Sequence, residues 1–201
     1  MIAIVDYGMG NLRSVQKAFA RLGHDAEIVA APEQIPKADR LVLPGVGAMK
    51  DAMQALRDNH LVAPIHDFIR SGKPFLGVCL GLQMLFEVSY EDGEHPGLGI
   101  FKGSVRKFDV PRPLKVPHMG WNSLRWVNRP PIAAGTNDGD YAYFVHSYYV
   151  VPDDRSVIAA ETDYGGLFAS VCCKDNVVAT QFHPEKSQRL GLTLLDNFAR
   201  L

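Results

Sequence analysis

The chain has no excess of charge, no paired-cysteine pattern and no long hydrophobic run, and each absence removes a class of function. Among its 201 residues, 21 Lys and Arg oppose 22 Asp and Glu. That balance, with the signs interspersed, builds no basic face for nucleic acid or an anionic membrane. The three cysteines contain no C-x-x-C spacing, and Cys172 and Cys173 are adjacent. This is neither a disulfide framework nor a zinc pattern, and it suits a reducing compartment. No histidine–carboxylate group has metal-ligand spacing, so neither a metal nor a cofactor is expected. The longest apolar stretch, Phe75 to Phe86, is interrupted by Gln83. It falls short of the roughly 20 residues that cross a bilayer. The chain opens as a strand, Ile2-Ala3-Ile4-Val5, without a basic leader, so a cytoplasmic location is expected.

Two nucleotide-binding signatures also fail. Gly8-Met9-Gly10 follows the first strand, but the third glycine of G-x-G-x-x-G would be Arg13. Gly72-Lys73 resembles a P-loop ending, yet Pro74 stands where a magnesium-binding hydroxyl is needed.

What is present is an alternation of strands and helices. Strands are expected at Ile2–Asp6, Asp25–Val29, Arg40–Leu43 and Pro74–Val78, and helices at Asn11–Leu22, Ala48–Asn59 and Leu61–Ser71. Asn11 stands as an N-cap and Gly23 as a C′ residue. This order implies a mostly parallel, doubly wound α/β sheet with helices on both faces. After Ser89 the texture changes. Segments 100–108, 124–127, 143–151, 157–162, 168–173 and 177–182 read as an antiparallel β excursion separated by Gly, Pro, Asn and Asp turns. A helix from Ser187 to Leu201, with Leu190, Leu194, Leu195 and Phe198 on one face, closes the chain. One domain spanning 1–201 is the simplest count.

The chemistry concentrates at Gly77-Val78-Cys79-Leu80-Gly81, where an apolar strand gives way to a helix expected to run on through Phe86. G-x-C-x-G is the thiol form of the G-x-S-x-G elbow, which holds a nucleophile on a sharp turn. A helix start favours the thiolate, the reactive form of cysteine. A lone thiol is more often a small core residue, so the elbow needs a base and a group that orients the base. Gln181-Phe182-His183-Pro184-Glu185 supplies both. Pro184 biases His183 toward an extended conformation, in which residues i and i+2 share a face. His183 and Glu185 then point together at the carboxyl end of a strand, where sites gather in open α/β sheets. The other six histidines, including His118 and His146, take the default of structural roles.

With Cys79, His183 and Glu185 assembled, the chain resembles the class I, triad-type glutamine amidotransferases. Within them it is similar to the glutaminase subunits of imidazole glycerol phosphate synthase. Six blocks carry the likeness: Asp6 to Leu12, Leu43 to Gly47, Gly77 to Gln83, Pro117 to Asn122, Tyr143 to Tyr148 and Gln181 to Ser187. The resemblance implies glutamine hydrolysis through a Cys79 thioester, with His183 as acid and base and Glu185 orienting it. It implies an oxyanion hole from the Leu80 amide and the Val46 or Gly47 amide, and substrate contacts from Gln83, Ser147 and Tyr148. It also implies a partner, a (β/α)8-barrel cyclase subunit that receives the ammonia in histidine biosynthesis. His118, Met119 and Trp121, in a turn-like Pro/Gly context, would be exposed anchors for that barrel, with Asn11 and Lys186 as polar neighbours.

A glutaminase of another triad amidotransferase, such as that of pyridoxal phosphate synthase, or a cysteine peptidase relative, would share the triad. The Pro117–Asn122 and Tyr143–Tyr148 blocks argue against both. A non-catalytic or redox-sensing protein that kept the elbow is opposed by the intact His-Pro-Glu segment.

Overall fold

The computed structural model of the chain describes residues 1–201. The first half runs β1 (Ile2–Val5), α1 (Leu12–Arg21), β2 (Ala26–Val29), β3 (Arg40–Gly45), α2 (Met49–Asp58), α3 (Val62–Arg70), β4 (Phe75–Cys79) and α4 (Leu80–Met84). The second half is mostly strand: β5 (Phe86–Ser89), β6 (His95–Pro96), β7 (Phe101–Lys107), β8 (His118–Ser123), β9 (Arg125–Trp126), β10 (Tyr141–His146) and β11 (Tyr148–Pro152). β12 (Ile158–Asp163), β13 (Leu167–Lys174), β14 (Val177–Thr180) and the closing helix α5 (Gln188–Arg200) complete it.

An eight-stranded sheet lies at the centre in the order β2-β1-β3-β4-β14-β13-β12-β9. Its first five strands are mutually parallel, and the last three continue antiparallel. Strand alternation divides the interior in two. Ala3, Val5, Leu41, Leu43, Val177 and Ala179 face the side covered by α2, α3 and α4. Ile2, Ile4, Val42, Leu76, Val78 and Val178 face the side covered by α1 and α5. Both faces are dry, which explains why the parallel strands read as unbroken apolar runs. On α5 the expected face of Leu190, Leu194, Leu195 and Phe198 is buried, and Phe198 meets Phe19 of α1.

The excursion forms two further sheets, β10-β8 and β11-β7-β5-β6. Here the structure corrects several expectations. The helix after Cys79 stops at Met84, and β5 starts at Phe86. Leu98 N–H donates to the Met84 carbonyl, and Ile100 and Phe101 N–H donate to that of Leu85. Those acceptors are no longer free to extend the helix. The segment 143–151 is two strands in two sheets, broken at Ser147. The segment 118–123, which follows Pro117, is a strand and not a turn, with Gly120 at φ +135° and a six-residue register against β10. Asn11 stands at the start of α1, but its side chain makes no capping hydrogen bond.

Candidate active site

Cys79 ends β4 and precedes α4 with φ 56° and ψ −109°. A non-glycine residue there is strained, and such strain persists only where the surroundings hold it. The surroundings are close: a Cβ on Gly81 would lie 2.0 Å from the Leu43 carbonyl oxygen of β3. Only glycine lets the helix start this near the neighbouring strand. The register of β3 against β4 pairs Gly45 with Cys79, which brings the Gly45-Val46-Gly47 loop beside the thiol. Gly47 has φ +90°, and neither the Val46 nor the Gly47 N–H is used by another backbone or side-chain acceptor. Leu80 opens α4, so its N–H lacks an intrahelical acceptor.

β14 pairs parallel with β4, Thr180 opposite Val78, so the chain leaving β14 emerges where Cys79 does. His183 is extended at φ −96°, ψ 100°, and Pro184–Lys186 then form a single 3-10 turn. Strand alternation is therefore not what aligns His183 with Glu185. The turn folds Glu185 back, and His183 Nδ1 donates to its Oε1 at 2.8 Å. Both side chains are almost wholly buried, at 3% and 1% exposure. That leaves Nε2 toward Cys79. Burial alone pushes the imidazole pKa down, but polar contact with Cys79 and the hydrogen bond to Glu185, with the negative charge of each, raise it from 6.5 to about 10.

Four residues near this pair carry roles that the sequence motifs did not indicate. Ser187 Oγ donates to the His183 carbonyl at 2.7 Å and accepts the Tyr143 N–H at 2.9 Å, while His183 N–H donates to the Tyr143 carbonyl. β10 thereby clamps the histidine backbone. Gln181 Nε2 lies 3.9 Å from Cys79 Sγ. The buried Tyr7 hydroxyl donates to the Pro44 carbonyl at 3.0 Å, under the Val46 loop. Its pKa is raised by burial and by the charge of Cys79. Glu91 is the fourth. It lines the cavity over Cys79, and its Oε2 accepts the Met49 N–H at 2.7 Å. Tyr7, Gln181 and Ser187 lie inside the six blocks of likeness, whereas Glu91 sits in a polar turn that carries no signal.

That cavity has a volume of about 470 Å³, the right order for one small ligand. Val46, Gly47, Cys79, Leu80, Gln83, Ser147, Tyr148 and His183 all line it, together with His146. Gln83 Nε2 donates to the Tyr148 carbonyl at 3.0 Å and to Gln181 Oε1 at 3.2 Å. With both N–H groups committed, Gln83 offers its carbonyl oxygen as an acceptor.

The family model for glutamine amidotransferase class-I matches residues 3–200. The chain belongs to that family. Curated relatives named "Imidazole glycerol phosphate synthase subunit HisH" match over nearly full lengths. That of Rhodopirellula baltica is 56% identical (99% of this chain, 97% of the relative). Those of Aquifex aeolicus (55%; 98% and 95%) and Syntrophotalea carbinolica (53%; 98% and 98%) are close to it. Solved structures share the fold. One titled glutamine amidotransferase has a TM-score of 0.77 at 19% identity over the whole of both chains. A chain of PurLQS from Thermotoga maritima reaches 0.75 at 17% identity, covering 99% of this chain and 97% of its own.

Outside the cavity, this amidotransferase differs from the sequence expectation at His118. Met119 and Trp121 are 62% and 46% exposed, but His118 is only 3% exposed. The reason is strand alternation: on β8, residues 119 and 121 share the outer face while 118 turns inward. Trp121 meets Tyr143 edge-on at 5.9 Å, and Tyr141 is exposed nearby. Lys186 is exposed and Asn11 half-buried, on elements that pack together. No helix is long and apolar enough to cross a membrane.

Proposed function

We infer that the chain is the glutaminase subunit of an imidazole glycerol phosphate synthase. The observation that carries this is the strained Cys79 elbow beside the buried His183–Glu185 pair, with Cys79 and His183 lining one cavity of about 470 Å³ that has room for an amino acid. The relatives' shared name supports a place in histidine biosynthesis, and a cytosolic setting is part of the same proposal.

Cys79, as thiolate, attacks the side-chain amide carbon of glutamine. The carbonyl oxygen becomes an oxyanion, held by the Leu80 N–H and by the Val46 or Gly47 N–H. Losing one such donor costs about 10²–10³ in rate. His183, protonated at neutral pH because its pKa is raised to about 10, gives its Nε2 proton to the departing nitrogen. The C–N bond breaks, ammonia leaves and a glutamyl thioester remains. Water then loses a proton to His183 and attacks the thioester. Collapse expels the thiolate and yields glutamate. Glu185 holds the imidazole through Nδ1, as the acid does in a serine triad. Glu91 receives the substrate ammonium together with the Gln83 carbonyl, and Ser147 and Tyr148 offer backbone groups to the carboxylate end.

The ammonia passes to a separate (β/α)8-barrel cyclase subunit in a heterodimer. There it contributes to imidazole glycerol phosphate and an aminoimidazole carboxamide ribonucleotide. Met119 and Trp121 fit an interface core, where methionine and tryptophan are enriched, with Asn11 and Lys186 at its rim.

The test is glutamate release by the chain alone, and by the chain mixed with the cyclase barrel plus its nucleotide ligand. Low activity alone that rises on assembly is expected, since the Val46 and Gly47 N–H groups have no acceptor within the chain to fix their direction and Gly47 has a positive φ. Full activity in the isolated chain would reject the activation, and no activity in either state would reject the function.

A further inference from the structure

Two buried histidines that the reaction does not use connect β8 to the substrate cavity. His118 Nδ1 lies 2.9 Å from His146 Nε2, and His146 Nδ1 lies 2.8 Å from the Tyr148 carbonyl oxygen. At the other end, Asn122 Nδ2 lies 3.3 Å from His118 Nε2 and donates to the Asp163 carbonyl at 2.8 Å. Burial lowers the pKa of His118 to about 4. For His146, burial and the charges of His118 and His183 lower it to about 3, against an opposing hydrogen bond to Tyr148. Both rings are neutral at physiological pH.

Neutrality fixes the direction of every proton. A carbonyl only accepts, so His146 carries its hydrogen on Nδ1 and its Nε2 is a lone pair. His118 must then donate from Nδ1, and its Nε2 accepts from the Asn122 amide. The Asn122 oxygen is already an acceptor, taking the Ser123 N–H at 2.8 Å, which agrees with that orientation. The chain of donors runs one way, from β8 to Tyr148. The same Tyr148 carbonyl accepts Gln83 Nε2 at 3.0 Å, and Gln83 lines the cavity.

We propose that His118 and His146 are positioning residues that hold the Tyr148 carbonyl, and through it Gln83, in place for the substrate. They make β8, whose outer face carries Met119 and Trp121, a working part of the substrate cradle. The proposal rests on the glutaminase function and deepens it. Removing His146 leaves the carbonyl with one donor and lets residues 147–148 and Gln83 drift. Ground-state binding is weakened while the Cys79–His183 pair is untouched.

The first measurement needs no variant. Nitrogen-15 NMR of the histidine-labelled chain is expected to show both rings protonated at Nδ1 alone, and a proton on Nε2 of either ring would overturn the relay. The second is steady-state glutaminase kinetics of the assembled synthase. His146→Phe is expected to raise KM for glutamine about tenfold, the loss of roughly one hydrogen bond, with kcat within about threefold. His146→Asn, which keeps a donor near Nδ1, is expected to restore most of that KM. His118→Phe retains the stack on Phe144 and Tyr164, so it keeps the core filled and is expected to give a smaller rise in the same direction. Unchanged KM in folded His146→Phe, or equal losses in kcat and kcat/KM that Asn does not rescue, would refute the proposal. Wild-type activity in the same assay separates that outcome from a failure of the glutaminase function itself.

Discussion

His183 Nδ1 donates to Glu185 Oε1 at 2.8 Å although a single residue, Pro184, separates them. The tight turn makes the carboxylate inseparable from the imidazole it holds, and both lie out of solvent. Glu185→Gln is expected to lower kcat by at least about 10²-fold with a small change in KM, since the imidazole loses both its orientation and a stabilising charge. By NMR titration, the His183 pKa, raised to about 10 by Cys79 and Glu185 against burial, should fall in Glu185→Gln and in Cys79→Ala.

Acid should destabilise the fold through a different pair. His118 and His146 stay neutral down to about pH 4 and 3 when folded, because burial lowers both pKa values from 6.5. Below pH 6.5 the unfolded chain takes up protons that the folded chain refuses, so stability falls as pH drops through that window. Urea midpoints measured from pH 7 to pH 4 should decline less steeply in the double variant His118→Phe/His146→Phe than in wild type.

Gly81→Ala puts a methyl 2.0 Å from the Leu43 carbonyl oxygen, against backbone that cannot swing away. A loss of about 2–4 kcal/mol is expected from such overpacking, with the elbow displaced and Cys79 reactivity reduced. Urea unfolding and thiol alkylation rates measure the two effects.

Trp121→Ala removes a half-exposed ring whose aromatic contact within the chain is Tyr143. Folding should be nearly unchanged, while the dissociation constant for the proposed cyclase subunit rises at least about 30-fold, as for a central interface tryptophan. Titration calorimetry with the purified barrel reads it, and wild-type affinity would remove Trp121 from the interface.

The first half of the fold was legible because each element carries its own signal. Buried parallel strands such as Ile2–Val5 are apolar without interruption, and α1 shows Val15, Ala18 and Phe19 at helical spacing. The excursion was less so. Strand β8 is composed of turn-like residues and exists because β10 pairs with it, a long-range fact that local composition does not carry. The same cause hid the fate of His118, whose inward orientation depends on that pairing. At the site, the Cys79 and His183 segments were legible from motif and context. Glu91, Ser187 and the His118–His146 pair were not, because their roles arise from contacts between distant segments.

The thioester on Cys79 is the most direct test of the whole account. An assembled synthase mixed with glutamine, quenched in acid within a turnover and digested, should yield a glutamyl adduct on the peptide bearing Cys79. Cys172 and Cys173, whose thiol pKa values burial raises, to about 12 for Cys172, should remain unmodified. Steady glutamate release with no adduct at Cys79, or with the adduct on another residue, would contradict it.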